Sequence, residues 1–195
     1  MPQFYTEDEA IQAVQKLISG KMLLNASTII SENLAVFPNS RQLKFLSAHI
    51  ALETNDFITS ISVLEELNAE DPNQPKLLFP LARSWNEYGD SKKSIGYLVE
   101  AESIGADKTM IDIIRAEVYE RRGELDLLDQ YVSKLPHEVR MINIRARALI
   151  ARKKYEEAID LLESGYETRG LEKKGLISNL FMLTKAYDRI GEYDK

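Results

Sequence analysis

The feature that most constrains this chain is a recurrence of helix-breaking segments at a fixed distance. Thr-Asn-Asp-Phe (54–57), Tyr-Gly-Asp-Ser (88–91) and Arg-Gly-Glu-Leu (122–125) align so that Asn55, Gly89 and Gly123 stand 34 and again 34 residues apart. The next equivalents, Lys153 in Arg-Lys-Lys-Tyr and Gly191 in Ile-Gly-Glu-Tyr, follow at 30 and then 38 residues. The two departures amount to about one helical turn down and one up, and a whole-turn change keeps the inward face of a helix inward. A period of this length belongs to stacked repeats, in which each unit buries its apolar face only against its neighbours.

Two amphipathic segments flank each breaker. Leu78, Leu81, Ala82 and Trp85 recur at helical spacing before Gly89, and Ser94, Leu98 and Ala101 recur after it. Ile142, Ala146 and Leu149, then Tyr155, Ala158 and Leu162, repeat the pattern around Lys153. The unit is therefore helix, turn, helix. Ala48, Ala82, Ala116 and Ala146 occupy equivalent places, which predicts close helix approach there. Thr6-x-x-Glu9 reads as a capping box, while Phe37-Pro38, Asp71-Pro72 and Pro136 read as unit ends. Pro80 falls inside a predicted helix that starts near Pro75. It predicts either a bend or delayed start of that helix, or a carbonyl near Lys76 left free to face a ligand.

These residues resemble the tetratricopeptide repeat (TPR) family. Its 34-residue unit carries a bulky residue, a small one, an aromatic, a Gly-Asp/Glu-Tyr turn, an alanine and a closing proline. The third unit (Leu78, Leu81-Ala82, Trp85, Gly89) and the fifth (Ala146, Tyr155-x-x-Ala158) carry the likeness well; the first matches through Gly20, Ala26 and Pro38. The resemblance implies an all-α, right-handed α-solenoid across 1–195. Its repeats lie at about 6–38, 41–72, 75–106, 109–136 and 139–169, with a partial one at 176–195.

In such arrays the first helix of each hairpin lines a concave groove. Carried over, the resemblance implies that the groove presents Gln42, Phe45, His49 and Leu52, then Lys76, Phe79, Arg83 and Asn86. The fourth and fifth units add Met110, Ile113, Glu117 and Glu120, then Arg140, Asn143, Arg147 and Ile150. The candidate ligand-binding set is Phe45, His49, Lys76, Phe79, Arg83, Asn86, Ile113, Glu117, Asn143 and Arg147. Phe45 and Phe79 either line the groove or pack on neighbouring units. The family's carboxylate clamp for acidic tails is disfavoured, because the second unit offers Phe45, Leu46 and His49 where the clamp needs asparagine and a second cation. The expected function is a protein-interaction scaffold for a peptide or partner segment.

Composition narrows the alternatives. A net charge of −6 disfavours nucleic acid or an anionic membrane as principal ligand. Cysteine is absent, and the only two histidines, His49 and His137, lack a helical partner for a metal. Gly170-Leu-Glu-Lys-Lys-Gly175 lacks the end that a phosphate loop needs. No catalytic residue, cofactor or metal is expected. Lys153-Lys154 and Lys173-Lys174 read as solvated turns, and Trp85, Tyr119, Tyr155, Tyr187 and Tyr193 as packing residues. MPQFYTEDEA lacks the sections of a signal peptide and no apolar run is long enough for a membrane span, so the expected location is cytoplasmic.

The sequence ends just after the turn of a sixth unit, which predicts that these residues are part of a longer protein. Leu180, Leu183 and Tyr187 would then expose an apolar face able to promote self-association. LTKAYDRIGEYDK also resembles the last repeat before the catalytic domain of bacterial TPR-sulfotransferases. That likeness implies an alternative role, an accessory docking or dimerisation region of a larger enzyme.

Overall fold

The computed structural model describes residues 6–135, 142–167 and 173–191. Among these residues the regular structure is entirely helical. The elements are α1 (Glu7–Ser19), α2 (Leu23–Leu34), α3 (Arg41–Glu53), α4 (Phe57–Glu70), α5 (Pro75–Tyr88), α6 (Ser91–Ser103), α7 (Lys108–Arg122), α8 (Leu125–Val132), α9 (Ile142–Ala151), α10 (Tyr155–Glu167) and α11 (Lys173–Ile190). They form two compact units, Met1–Ala106 and Asp107–Lys195.

The turn inside every hairpin is built in one way. A residue with positive φ follows the first helix: Lys21 (59°), Asn55 (64°), Gly89 (104°), Gly123 (71°) and Lys153 (61°). The next residue sends its N–H back to a carbonyl five positions earlier. Met22 reaches Leu17 at 2.9 Å, Asp56 reaches Ala51 at 2.8 Å, Asp90 reaches Trp85 at 2.9 Å, Glu124 reaches Tyr119 at 3.0 Å and Lys154 reaches Leu149 at 2.9 Å. This closure satisfies a carbonyl that the helix end would otherwise strand, and it needs one left-handed residue. The same residue after the turn then starts the second helix. Asp56 and Asp90 cap α4 and α6, accepting from the N–H groups of Thr59 (3.2 Å) and Lys93 (3.0 Å).

Lys21 corrects the reading of the first unit. It stands 34 residues before Asn55 and holds the left-handed position. Gly20, the expected turn residue, has φ −79° and only caps α1. The Thr6–Glu9 capping box is present, both of its hydrogen bonds measuring 3.2 Å. Pro80 does not delay α5, which begins at Pro75 and runs through it to Tyr88. Pro80 has no N–H to give the Lys76 carbonyl.

In the first unit each hairpin packs on the next through its second helix, α2 against α3 and α4 against α5, while α1, α3 and α5 touch in succession. In the second unit α8 packs on α9 and α10 on α11, while α7, α9 and α11 touch in succession. Ala48, Ala82, Ala116 and Ala146 are fully buried, as close helix approach requires. Two hydroxyls cross one of these boundaries: Ser60 on α4 and Ser84 on α5, both fully buried, are hydrogen-bonded at 2.9 Å. Trp85 is 8% exposed, within the expected core.

The expected apolar face of the last half-unit is covered in part. Leu183 and Ala186 are buried in a cluster with Ile142, Ala146, Ile159 and Leu162, and Tyr187 packs against it. Leu183 is thus a core residue of the second unit, and among the described side chains of α11 the exposed large apolar one is Phe181. Pro136, His137 and the side chain of Leu180 lie outside the described residues.

The turn geometry sets a stability test. A Cβ added at Gly89 meets nothing within 4 Å, so Gly89→Ala carries only the conformational cost, expected at about 1–2 kcal/mol. Lys153→Gly removes the same strain and should stabilise by about 1 kcal/mol. Urea-unfolding midpoints of the two variants should therefore move in opposite directions from the parent.

Candidate functional site

The predicted ligand residues divide between the two units. In the first, Phe45 and His49 project from α3 and Lys76, Phe79, Arg83 and Asn86 from α5, adjacent first helices. Lys76 is exposed, and Phe45, His49, Phe79 and Arg83 are half-buried. Phe45 packs against a cluster of Ala48, Leu64, Leu67, Leu77 and Leu81, so part of its ring belongs to the seam with the next hairpin. Asn86 departs from expectation: it is 2% exposed, with no hydrogen-bond partner for its Oδ1. Its helix turns it inward, away from the accessible face.

In the second unit Ile113 is also a core residue, 7% exposed and packed on Leu135 with Met110 and Ile144 alongside. It supplies no accessible apolar contact. Glu117, Asn143 and Arg147 are half-buried. Arg147 is held by Glu120 of the neighbouring first helix, its Nε donating to the two carboxylate oxygens at 2.9 and 3.1 Å and its Nη2 donating to Oε2 as well. This pair ties α7 to α9 through charge-assisted bonds in the geometry a guanidinium favours. Sequence reasoning placed both residues on one face and missed their pairing. Among the described residues, no cluster of three or more His, Asp or Glu could hold a metal ion.

The position of α5, which carries most of the accessible set, is fixed from behind. Glu65 on α4 accepts from the Trp85 indole N–H at 3.2 Å and from the Tyr97 hydroxyl at 3.1 Å. One carboxylate thereby joins α4, α5 and α6. Lys93 lies 3.6 Å from the Trp85 ring centre and Tyr88 meets the same ring edge-on at 5.6 Å. In the second unit Tyr119 and Tyr131 stack at 5.5 Å, with Lys134 4.5 Å from the Tyr131 ring.

No family model matches the chain. A curated relative, TPR repeat-containing protein YpiA of Bacillus subtilis (strain 168), is 26% identical over 171 residues, covering 85% of this chain and 40% of the relative. The chain spans less than half the length of that relative. A solved tetratricopeptide repeat protein from Parabacteroides merdae ATCC 43184 has TM-score 0.80 at 12% identity, covering 94% of this chain and 72% of that one. A thermophilic TPR protein of Thermus thermophilus has TM-score 0.73 at 16% identity, covering 91% and 99%. With the turn register described above, these similarities identify the fold as that of a tetratricopeptide-repeat protein. Each unit is an array of such helical hairpins, and among the described residues no helix is long and apolar enough to cross a membrane.

The Glu65 junction has a pH signature. Burial, then the neighbouring Glu65 charge and its hydrogen bond, push the Tyr97 phenol up from 10.0 to about 12. The fold therefore holds the neutral phenol. Its contribution to stability is complete below the ordinary phenol value and is lost as pH rises through about 12. Glu65→Gln should bring the phenol back toward its ordinary range. Ultraviolet phenolate titration, with Tyr97→Phe identifying the signal, checks this, and an unchanged value would leave burial as the whole cause.

Proposed function

We propose that the chain is a protein-interaction scaffold that seats a peptide or partner segment on the face formed by α3 and α5. The observation that carries this reading is the juxtaposition there of half-buried Phe45 and Phe79 with exposed Lys76 and half-buried Arg83. Partly accessible aromatic rings offer apolar area at low entropic cost, and the two cations can meet carboxylates or backbone carbonyls. His49 extends the face along α3. Glu117, Asn143 and Arg147 would serve a corresponding face of the second unit, with Arg147 held in place by Glu120. The proposal assigns no chemistry to the chain and requires no cofactor. The alternative role, an accessory docking or dimerisation region of a larger enzyme, rests on the likeness of the last segment to TPR-sulfotransferases alone.

The test begins with peptides selected against the full chain by display, followed by titration of variants. Arg83→Ala should weaken binding by about 1.5–3 kcal/mol, against about 0–1 kcal/mol for Lys153→Ala at an exposed turn. Phe79→Ala should weaken it as well. Equal affinities for the Arg83 and Lys153 variants would move the binding surface off the α3–α5 face.

A further inference from the structure

The first unit repeats one apolar position on three successive first helices. Ten residues before the left-handed turn residues Lys21, Asn55 and Gly89 stand Ile11 on α1, Phe45 on α3 and Phe79 on α5. All three are half-buried, and the helices that carry them touch in succession. They form an apolar row that crosses α1, α3 and α5 at the spacing of packed helices, about 8–10 Å.

The charges of the same face are sorted by end. Three positions nearer the start of each helix, Asp8, Gln42 and Lys76 stand in register. Asp8 and Lys76 are exposed, and neither forms an ion pair among the described residues. Glu7 and Glu9 join Asp8 in the first turn of α1, whereas the first turn of α5 has no carboxylate. Lys76 also carries an unused acceptor. Its carbonyl would take the N–H of the residue four positions on, and that residue is Pro80, which has none and lies on the same side of α5.

We propose that the segment seated on this face is an extended, left-handed polyproline-II strand with an apolar side chain at every third residue. Its acidic end lies over α5, its basic end over α1, and one of its backbone N–H groups donates to the Lys76 carbonyl. Resting on the reading of the α3–α5 face, the site so defined extends to α1. Spacing selects the conformation. A polyproline-II strand rises about 3.1 Å per residue with three residues per turn, so every third side chain returns to one side after about 9.3 Å. A β-strand returns to the same side after about 6.6 Å, out of step with the row. An α-helix returns after about 10.5 Å, but its interior N–H groups are engaged within the helix and cannot serve the Lys76 carbonyl. The polyproline-II backbone makes no internal hydrogen bonds, so any residue in it other than proline keeps its N–H available. The opposite charges at the two ends of the row then fix which way the segment lies.

The test titrates labelled peptides against the full chain by fluorescence anisotropy. The first peptide has leucine at every third position with proline between, glutamates at one end and lysines at the other. It should bind, while the same residues with leucine at alternate positions, or a stapled helix with leucines seven apart, should bind about tenfold more weakly. Pro80→Ala returns an N–H to the Lys76 carbonyl. It should raise the urea midpoint yet weaken the first peptide about fivefold, a loss that unfolding cannot produce. Lys76→Glu should also weaken it about fivefold, and affinity should recover when the peptide's glutamates become lysines. Failure of the first peptide to bind at millimolar concentration overturns the proposal, as does equal or tighter binding of either rearranged form, or unchanged affinity on Pro80→Ala or Lys76→Glu. Display-selected peptides that depend on Arg83 but lack an apolar residue at every third position overturn it too, and leave the α3–α5 reading standing. Absence of any peptide that depends on Arg83 or Phe79 removes that reading, and this proposal with it.

Discussion

Everything in this architecture hangs on one hydrogen bond, repeated inside each described hairpin, from the residue after the left-handed position to a carbonyl in the preceding helix. The bond closes the first helix, reverses the chain and sets the start of the second helix within a single step. Because it is local, it fixes which face of each helix turns inward before any long-range contact forms. The buried alanines then let successive helices approach, and the apolar clusters between hairpins follow. Where the closing bond is kept and the helix beyond it changes length, as in the 8-residue α8, the hairpin order persists and the gaps between helices change.

The repeat was legible because glycine and asparagine announce left-handed backbone. Gly89, Gly123 and Asn55 carry that signature in their side chains or lack of them. Lys21 carries none, so the first turn was assigned to the glycine beside it. Lys153, which is no better suited chemically, was found only because its neighbours stood in register. Secondary structure and hairpin pairing thus followed from local chemistry, including the Thr6–Glu9 box.

The candidate face was legible to a lesser degree. Position within a repeat predicted the helix and approximate side for each residue, but exposure depends on what the adjacent hairpin brings. Ile113 is covered by Leu135, a residue 22 positions later, and Arg147 is claimed by Glu120 from a different hairpin. Neither event leaves a mark at helical spacing. Asn86 shows the same limit, since amphipathic pattern cannot distinguish a buried amide from one facing solvent.

The paired hydroxyls of Ser60 and Ser84 bear on how such a protein can diverge. Each sits in a fully buried place and satisfies the other across the border of two hairpins. If recombination inserted a different module at that border, both hydroxyls would lose their partner, each at a cost of about 1–3 kcal/mol. The second and third hairpins are therefore matched to one another at this seam. Nominally interchangeable building blocks acquire an address, and the chain behaves as a sentence with fixed word order rather than as a string of identical beads.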